Sequence, residues 1–248
     1  MSSQPYKLLD LFSGIGGFSL GLERSGAFET VAFCEIEPFP RKVLAKHWPK
    51  VPCYDDIRTL TAARLAADGI AVDAICGGFP CQDISTAGQG RGLDGERSGL
   101  WFEYARLVGE LRPKYVIVEN VAALLGRGLE QVLGSLAKIG YDAEWHCISA
   151  AAIGAPHRRD RVWIIANTKC FRSSRQGQFL KSISSASDAY READRLVSAF
   201  RAKTLPFVCR RHDGIPEELD AVKCLGNAVV PQVVELIGRA IAAAEVAA

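Results

Sequence analysis

No apolar run in this chain approaches the roughly 20 residues that a helix needs to cross a bilayer. The opening residues, Met1-Ser2-Ser3-Gln4-Pro5, lack the basic-then-apolar order of an export signal, so an intracellular, cytoplasmic protein is expected. The eight cysteines (34, 53, 76, 81, 147, 170, 209, 224) contain no C-x-x-C pair and no cluster with histidine. That argues against a disulfide framework and against zinc, and no metal site is expected. In a reducing compartment they should be free thiols, most of them buried; Cys34, Cys76 and Cys147 read as inert core residues. Internal repeats are also missing. Net charge is small, at +2, but unevenly placed: Asn167 to His212 holds ten Lys/Arg against three Asp/Glu. A basic segment on a mildly acidic body suggests a local polyanion contact, and a solvated loop is the alternative.

What is present is enough for one sizeable core with a small appended lobe: 248 residues, 48% of them hydrophobic. Strand-like segments at Lys7–Phe12, Thr30–Cys34, Val51–Tyr54, Ala71–Cys76 and Tyr115–Val118 alternate with helical patterns. The helices are expected at Gly16–Arg24, Pro38–Trp48, Thr59–Ala67, Leu100–Leu111 and Leu129–Ile139. Ala143–Ser149 and Val162–Ala166 look like a closing strand pair. Such repeated units imply an α/β fold, a mostly parallel sheet with helices on both faces. After Asn167 the pattern breaks, with a short helix expected at Tyr190–Phe200 and order returning at Val222–Leu225. An amphipathic helix then runs from Pro231 to Val246. The expected division is a main domain over 1–166, a small lobe over 167–220, and a helix within 221–248 that returns to the main sheet.

The loop Asp10-Leu11-Phe12-Ser13-Gly14-Ile15-Gly16-Gly17 joins the first strand to the first helix. Glycines there let the backbone turn tightly and approach a ligand that a Cβ would block. Glu35 ends the second strand, nineteen residues beyond Gly16, where a carboxylate can accept both hydroxyls of a ribose. Asp56-Ile57 follows the third strand and suits the edge and face of an adenine. A nucleoside-bearing cofactor is therefore expected. Ser19 breaks the full G-x-G-x-x-G of a dinucleotide site, and Asp10 suits a cationic amino group better than a phosphate; both favour S-adenosylmethionine.

Two further strand ends carry reactive groups. Gly77-Gly78-Phe79-Pro80-Cys81-Gln82 presents a thiol after a proline, beside glycines that leave room for a planar substrate. A thiol there is a candidate nucleophile rather than a core residue. Ser85–Gly99, with five glycines and two arginines, has the make-up of a lid, a disordered surface loop being its competitor. Glu119, closing an apolar strand, should be partly desolvated with a raised pKa, as a proton donor needs. Helix capping is its duller alternative, and Asn120 could serve for that. In His157-Arg158-Arg159-Asp160-Arg161, alternation sends Arg159 and Arg161 to one side, able to hold a phosphate or a carbonyl, a surface charge cluster being the plainer alternative and, for this segment taken alone, the favoured one.

With these pieces in order, the chain resembles the DNA (cytosine-5)-methyltransferases over nearly everything except roughly Asn167–Cys209. The loop from Asp10 to Gly17 looks like that family's cofactor loop, Gly78 to Gln82 its nucleophile motif and Glu119-Asn120-Val121 its acid motif. His157 to Arg161 looks like its Gln-x-Arg-x-Arg element, with His157 in place of the usual Gln. Gly226-Asn227-Ala228-Val229-Val230-Pro231 looks like its last motif. The resemblance implies a Rossmann-like, S-adenosylmethionine-dependent fold with a small recognition lobe, shorter here than is usual in the family. It implies that Asp10, Phe12, Gly14, Ile15, Gly16, Gly17, Glu35, Ile36, Asp56, Ile57 and Pro80 bind the cofactor, with Asn227, Ala228 and Val229 completing its pocket. Cys81, Glu119, Arg159 and Arg161 are the implied catalytic residues, and Gln82, Ser85, Arg97 and Asn120 the contacts to substrate or DNA. Cys81 would add to C6 of a flipped-out cytosine while Glu119 attends N3 and Arg159 the O2 side. Expected partners are double-stranded DNA and a cognate restriction endonuclease, for a monomer working in a bacterial nucleoid or a phage-infected host. A tRNA substrate and a silent DNA-binding homologue stay open as alternatives.

Overall fold

A computed structural model of the chain describes residues 4–80, 99–150, 160–168 and 228–246. It contains a seven-stranded sheet in the order β3-β2-β1-β4-β5-β7-β6. The strands are β1 Tyr6–Leu11, β2 Phe28–Cys34, β3 Cys53–Tyr54, β4 Ala74–Gly77, β5 Tyr115–Val121, β6 Asp142–Ser149 and β7 Asp160–Asn167. The first five pair in parallel, while β7 runs antiparallel to both β5 and β6. The expected closing pair is therefore real, and the sheet is mostly parallel.

The helices are α1 Gly17–Arg24, α2 Pro38–His47, α3 Ala62–Ala67, α4 Leu100–Leu111, α5 Leu124–Arg127, α6 Leu129–Lys138 and α7 Pro231–Val246. They cover both faces of the sheet. On one face Leu9, Leu11, Ile75, Val116 and Val118 pack with Trp101, Tyr104 and Leu107 of α4 and Val132 and Leu136 of α6. On the other Leu8, Ile117, Trp163 and Ile165 pack with Phe18 and Leu22 of α1 and Val233, Val234, Ile237 and Ile241 of α7. Successive strand residues serve opposite clusters, which is why the central strands are apolar throughout.

Several boundaries differ from the sequence expectation. Strand β3 shrinks to Cys53–Tyr54, and α3 starts only at Ala62 because Thr61 caps it, its side chain accepting the Arg64 N–H at 3.2 Å. Strand β5 runs on through Glu119 and Asn120 to Val121, since β7 pairs with it as far as Val121. Cys147 is exposed rather than buried: it lies on β6, at the end of the strand order, beside the exposed Trp145. Cys34 and Cys76 are buried as expected. The helix expected at Tyr190–Phe200, the segment Val222–Leu225 and nearly all of the lobe at 167–220 lie outside the described residues.

Candidate active site

The strand order reverses between β1 and β4, so the loops leaving their carboxyl ends open into one crevice. Their approach is close: a Cβ on Gly77 would lie 2.3 Å from the Leu11 carbonyl oxygen. Along this edge the groups follow strand by strand, Glu35 after β2, the glycine loop after β1, Gly78 to Pro80 after β4, and Glu119 on β5. Strand β7 runs the other way, so its first residues, Asp160 and Arg161, reach the same edge.

On the cofactor side the backbone turns through three left-handed residues, Phe12 (φ 52°), Gly14 (φ 52°) and Gly16 (φ 83°). Phe12 in that region is strained, as residues at binding loops often are. Gly16 has a second reason to lack a side chain, because a Cβ would sit 2.6 Å from the Trp48 ring. Glu35 is nearly buried; its Oε2 accepts the Gly14 N–H at 2.7 Å and its Oε1 the Glu37 N–H at 2.8 Å. The carboxylate thus ties the end of β2 to the glycine turn. Ile36 beside it is 59% exposed, an apolar surface of the kind a flat base covers. Val229 meets the start of α1, where a Cβ on Gly17 would come within 2.8 Å of its Cγ2.

Three residues expected at the cofactor are engaged within the protein itself. Asp10 is 0% exposed, with its Oδ2 accepting the Ser19 hydroxyl at 2.7 Å, so it has no surface with which to meet an amino group. Ile57 is packed into the core rather than left open to a ring. Asp56 is gripped by Arg58, whose Nη2 lies 2.7 Å from Oδ2, and that guanidinium holds the carboxyl below the usual carboxylate range.

On the substrate side Glu119 is 8% exposed, as its position on an apolar strand suggested. Unforeseen in the sequence is its partner: Arg161 Nε lies 2.7 Å from Glu119 Oε1. Arg161 is opposite Val121, one diagonal step from Glu119, within reach for long side chains. Gly78 makes room for the carboxyl, since a Cβ there would lie 2.8 Å from Glu119 Oε2. Asn120 does not face outward to a substrate; it is buried and its Nδ2 donates to the Phe79 carbonyl at 3.0 Å. It holds the segment that leads into Pro80, and both it and Glu119 lie within β5, the N-cap of the helix that follows being Ala123. Cys81, Gln82, Ser85, Arg97, Arg159 and Asn227 lie outside the described residues.

A profile of C-5 cytosine-specific DNA methylases matches residues 6–204. The chain belongs to that family. It is 37% identical over 169 residues to the type II methyltransferase M2.BsuMI of Bacillus subtilis, a match covering 65% of this chain and 42% of that protein. It is 35% identical over 164 residues to the type II methyltransferase M1.ScrFI of Lactococcus lactis, covering 64% and 41%. Among solved structures, the Dnmt2 methyltransferase of S. pombe superposes with a TM-score of 0.59 at 20% identity, over 72% of this chain and 54% of that one. That likeness concerns the fold alone, which is the Rossmann-like fold of S-adenosylmethionine-dependent methyltransferases. The chain thus spans less than half the length of these curated relatives.

S-adenosylmethionine is the cofactor that membership implies. The residues present fit it: a carboxylate at the end of β2, an exposed isoleucine next to it, and a glycine turn that a Cβ on Gly16 would jam against Trp48.

Proposed function

We propose that this chain is a DNA cytosine-5 methyltransferase acting on a cytosine flipped out of a specific double-stranded DNA sequence. The observation that carries the reading is the partly buried Glu119–Arg161 pair on β5 and β7, with Glu119 set against Gly78 in the segment that leads from β4 to Cys81. Cytosine C5 is too weak a nucleophile to take a methyl group unaided. In this reading the Cys81 thiolate adds to C6, pushing electron density toward C5. Glu119 hydrogen-bonds or protonates N3 as the ring takes up that charge, and Arg161 keeps its carboxyl aimed. Arg159 is assigned to the O2 side. When bound, S-adenosylmethionine supplies the methyl group as an electrophile, with Glu35, Ile36 and the Phe12–Gly17 loop as its holders. After C5 is methylated, a base removes its proton, the Cys81 bond breaks, and the aromatic ring is restored.

Residues 167–220 are assigned to target recognition, by a basic segment suited to phosphates. The helix that follows returns to the sheet, and α7 packed on α1 supports that division. A cognate restriction endonuclease and a working place on nucleoid or phage DNA belong to the same proposal, as does a monomeric state.

The test is incubation with labelled S-adenosylmethionine and duplex DNA. Label is expected as 5-methylcytosine, and Cys81→Ala should remove it by at least a thousandfold, the order lost when a covalent nucleophile is deleted. Methyladenine, turnover on tRNA alone, or undiminished transfer by the variant would each overturn the reading.

A further inference from the structure

Asp10 is an acidic residue beneath the cofactor loop that touches no open surface. Its two ends do different things. The main-chain carbonyl accepts the Ser13 hydroxyl at 2.6 Å, and the side-chain Oδ2 accepts both the Ser19 hydroxyl at 2.7 Å and the Ser19 N–H at 3.3 Å. Ser13 opens the glycine turn and Ser19 lies in the first turn of α1. Both flanks of the loop are therefore fastened to one residue of β1.

Helix α1 needs such a fastening. Its N-cap is Gly16, which has no side chain to receive the free N–H groups of the first turn. A carboxyl reaching up from the neighbouring strand does the work that Ser or Asp does at an ordinary N-cap. Against Asp10 stand Ser19 from α1 and the Cys76 thiol from β4, with Phe33 its register partner on β2. No cation appears among the groups that shift its titration.

We propose that Asp10 is a positioning residue, holding both ends of the Phe12–Gly16 turn in the shape that receives the nucleoside cofactor without contacting that cofactor. This rests on the reading of the loop as the cofactor cradle. It assigns Ser19 a role too: the residue that breaks the dinucleotide fingerprint is the one that Asp10 grips.

Three variants separate this from direct ligation. Asp10→Asn keeps an acceptor oxygen of the same reach; Asp10→Ala removes it; Ser19→Ala removes the hydroxyl and leaves the carboxyl intact. Amide hydrogen exchange in the ligand-free protein should speed up about tenfold across residues 13–19 in Asp10→Ala and in Ser19→Ala, the scale of one lost hydrogen bond, with Asp10→Asn near wild type. Calorimetric binding of S-adenosylhomocysteine should weaken about tenfold in the same two variants and be preserved in Asp10→Asn. The proposal is overturned if Asp10→Asn binds as poorly as Asp10→Ala while Ser19→Ala binds normally, since that is the pattern of a charge acting on the ligand. It is also overturned if exchange at 13–19 is unchanged in the alanine variants. Failure of the wild-type protein to bind S-adenosylhomocysteine, with the exchange pattern as expected, would refute the cofactor reading and leave the fastening established.

Discussion

Burial pushes the Asp10 carboxyl up to about 7, against an ordinary 3.8, with desolvation as the largest cause and the Ser19 hydrogen bonds opposing it. Cys76 and Tyr104 are titratable groups that feel it, Glu35 acts on it, and none supplies a positive charge. Between about pH 4 and 7 the folded protein holds a proton at Asp10 that the unfolded chain has released. The contribution to stability is therefore largest at the acid end of that window and is lost as pH rises through about 7. Asp10→Asn should flatten this dependence: the gap between wild-type and variant urea midpoints should change from pH 4.5 to pH 8 in the direction that favours the variant at pH 8. At Gly78 the argument is steric. Alanine would bring a Cβ to 2.8 Å from Glu119 Oε2 and push the carboxyl off its ion pair with Arg161. Single-turnover methyl transfer should fall about 100-fold or more in Gly78→Ala, the usual cost of an ångström of misplacement. The thermal midpoint should move by only a few degrees.

Helix α7 crosses α1 in close contact. A Cβ on Gly21 would lie 2.4 Å from the Pro231 carbonyl oxygen and 2.5 Å from Val234 Cβ. Neither atom is the tip of a flexible chain, so in Gly21→Ala the helices must part, at about 1–3 kcal/mol. The urea midpoint should fall while the slope of the transition stays constant. Element boundaries also show what periodicity could and could not convey. Helices α4 and α7 match their expected spans to the residue, because an amphipathic stripe and a proline start are local signals. The apolar run of β5 ends at Val118, where the polar Glu119 and Asn120 follow. They remain in the strand through pairing with β7, and their polarity is answered by Arg161 and the Phe79 carbonyl, partners 42 and 41 positions away.

For the whole molecule the returning helix is decisive. Val233, Val234, Leu236, Ile237 and Ile241 are all buried, and four of them fill the cluster over Leu8, Phe18 and Leu22. At about 1.5–3 kcal/mol each, those four side chains are worth roughly 6–12 kcal/mol, similar to the ~5–15 kcal/mol that separates a typical folded domain from its unfolded chain. A chain ending at Ala228 should therefore lose its sharp unfolding transition and bind an apolar dye, as calorimetry and dye fluorescence would reveal. Lys114 and Tyr115 secure the far end of the same helix through Glu245, with Lys114 Nζ 2.6 Å from Glu245 Oε2.

By itself the sequence determined the alternation of strands and helices, the glycine turn after the first strand and the family, because hydrophobic period and short motifs are written in neighbouring residues. Tertiary structure alone decided what the polar residues within those motifs do. Asp10 was drawn beneath the loop and Asn120 inward, Ile57 was packed away, and Arg161 was set on Glu119. Each outcome depends on which strand lies next to which. In a sheet that order follows from burying two apolar faces at once, a property of the whole chain that no stretch of it contains.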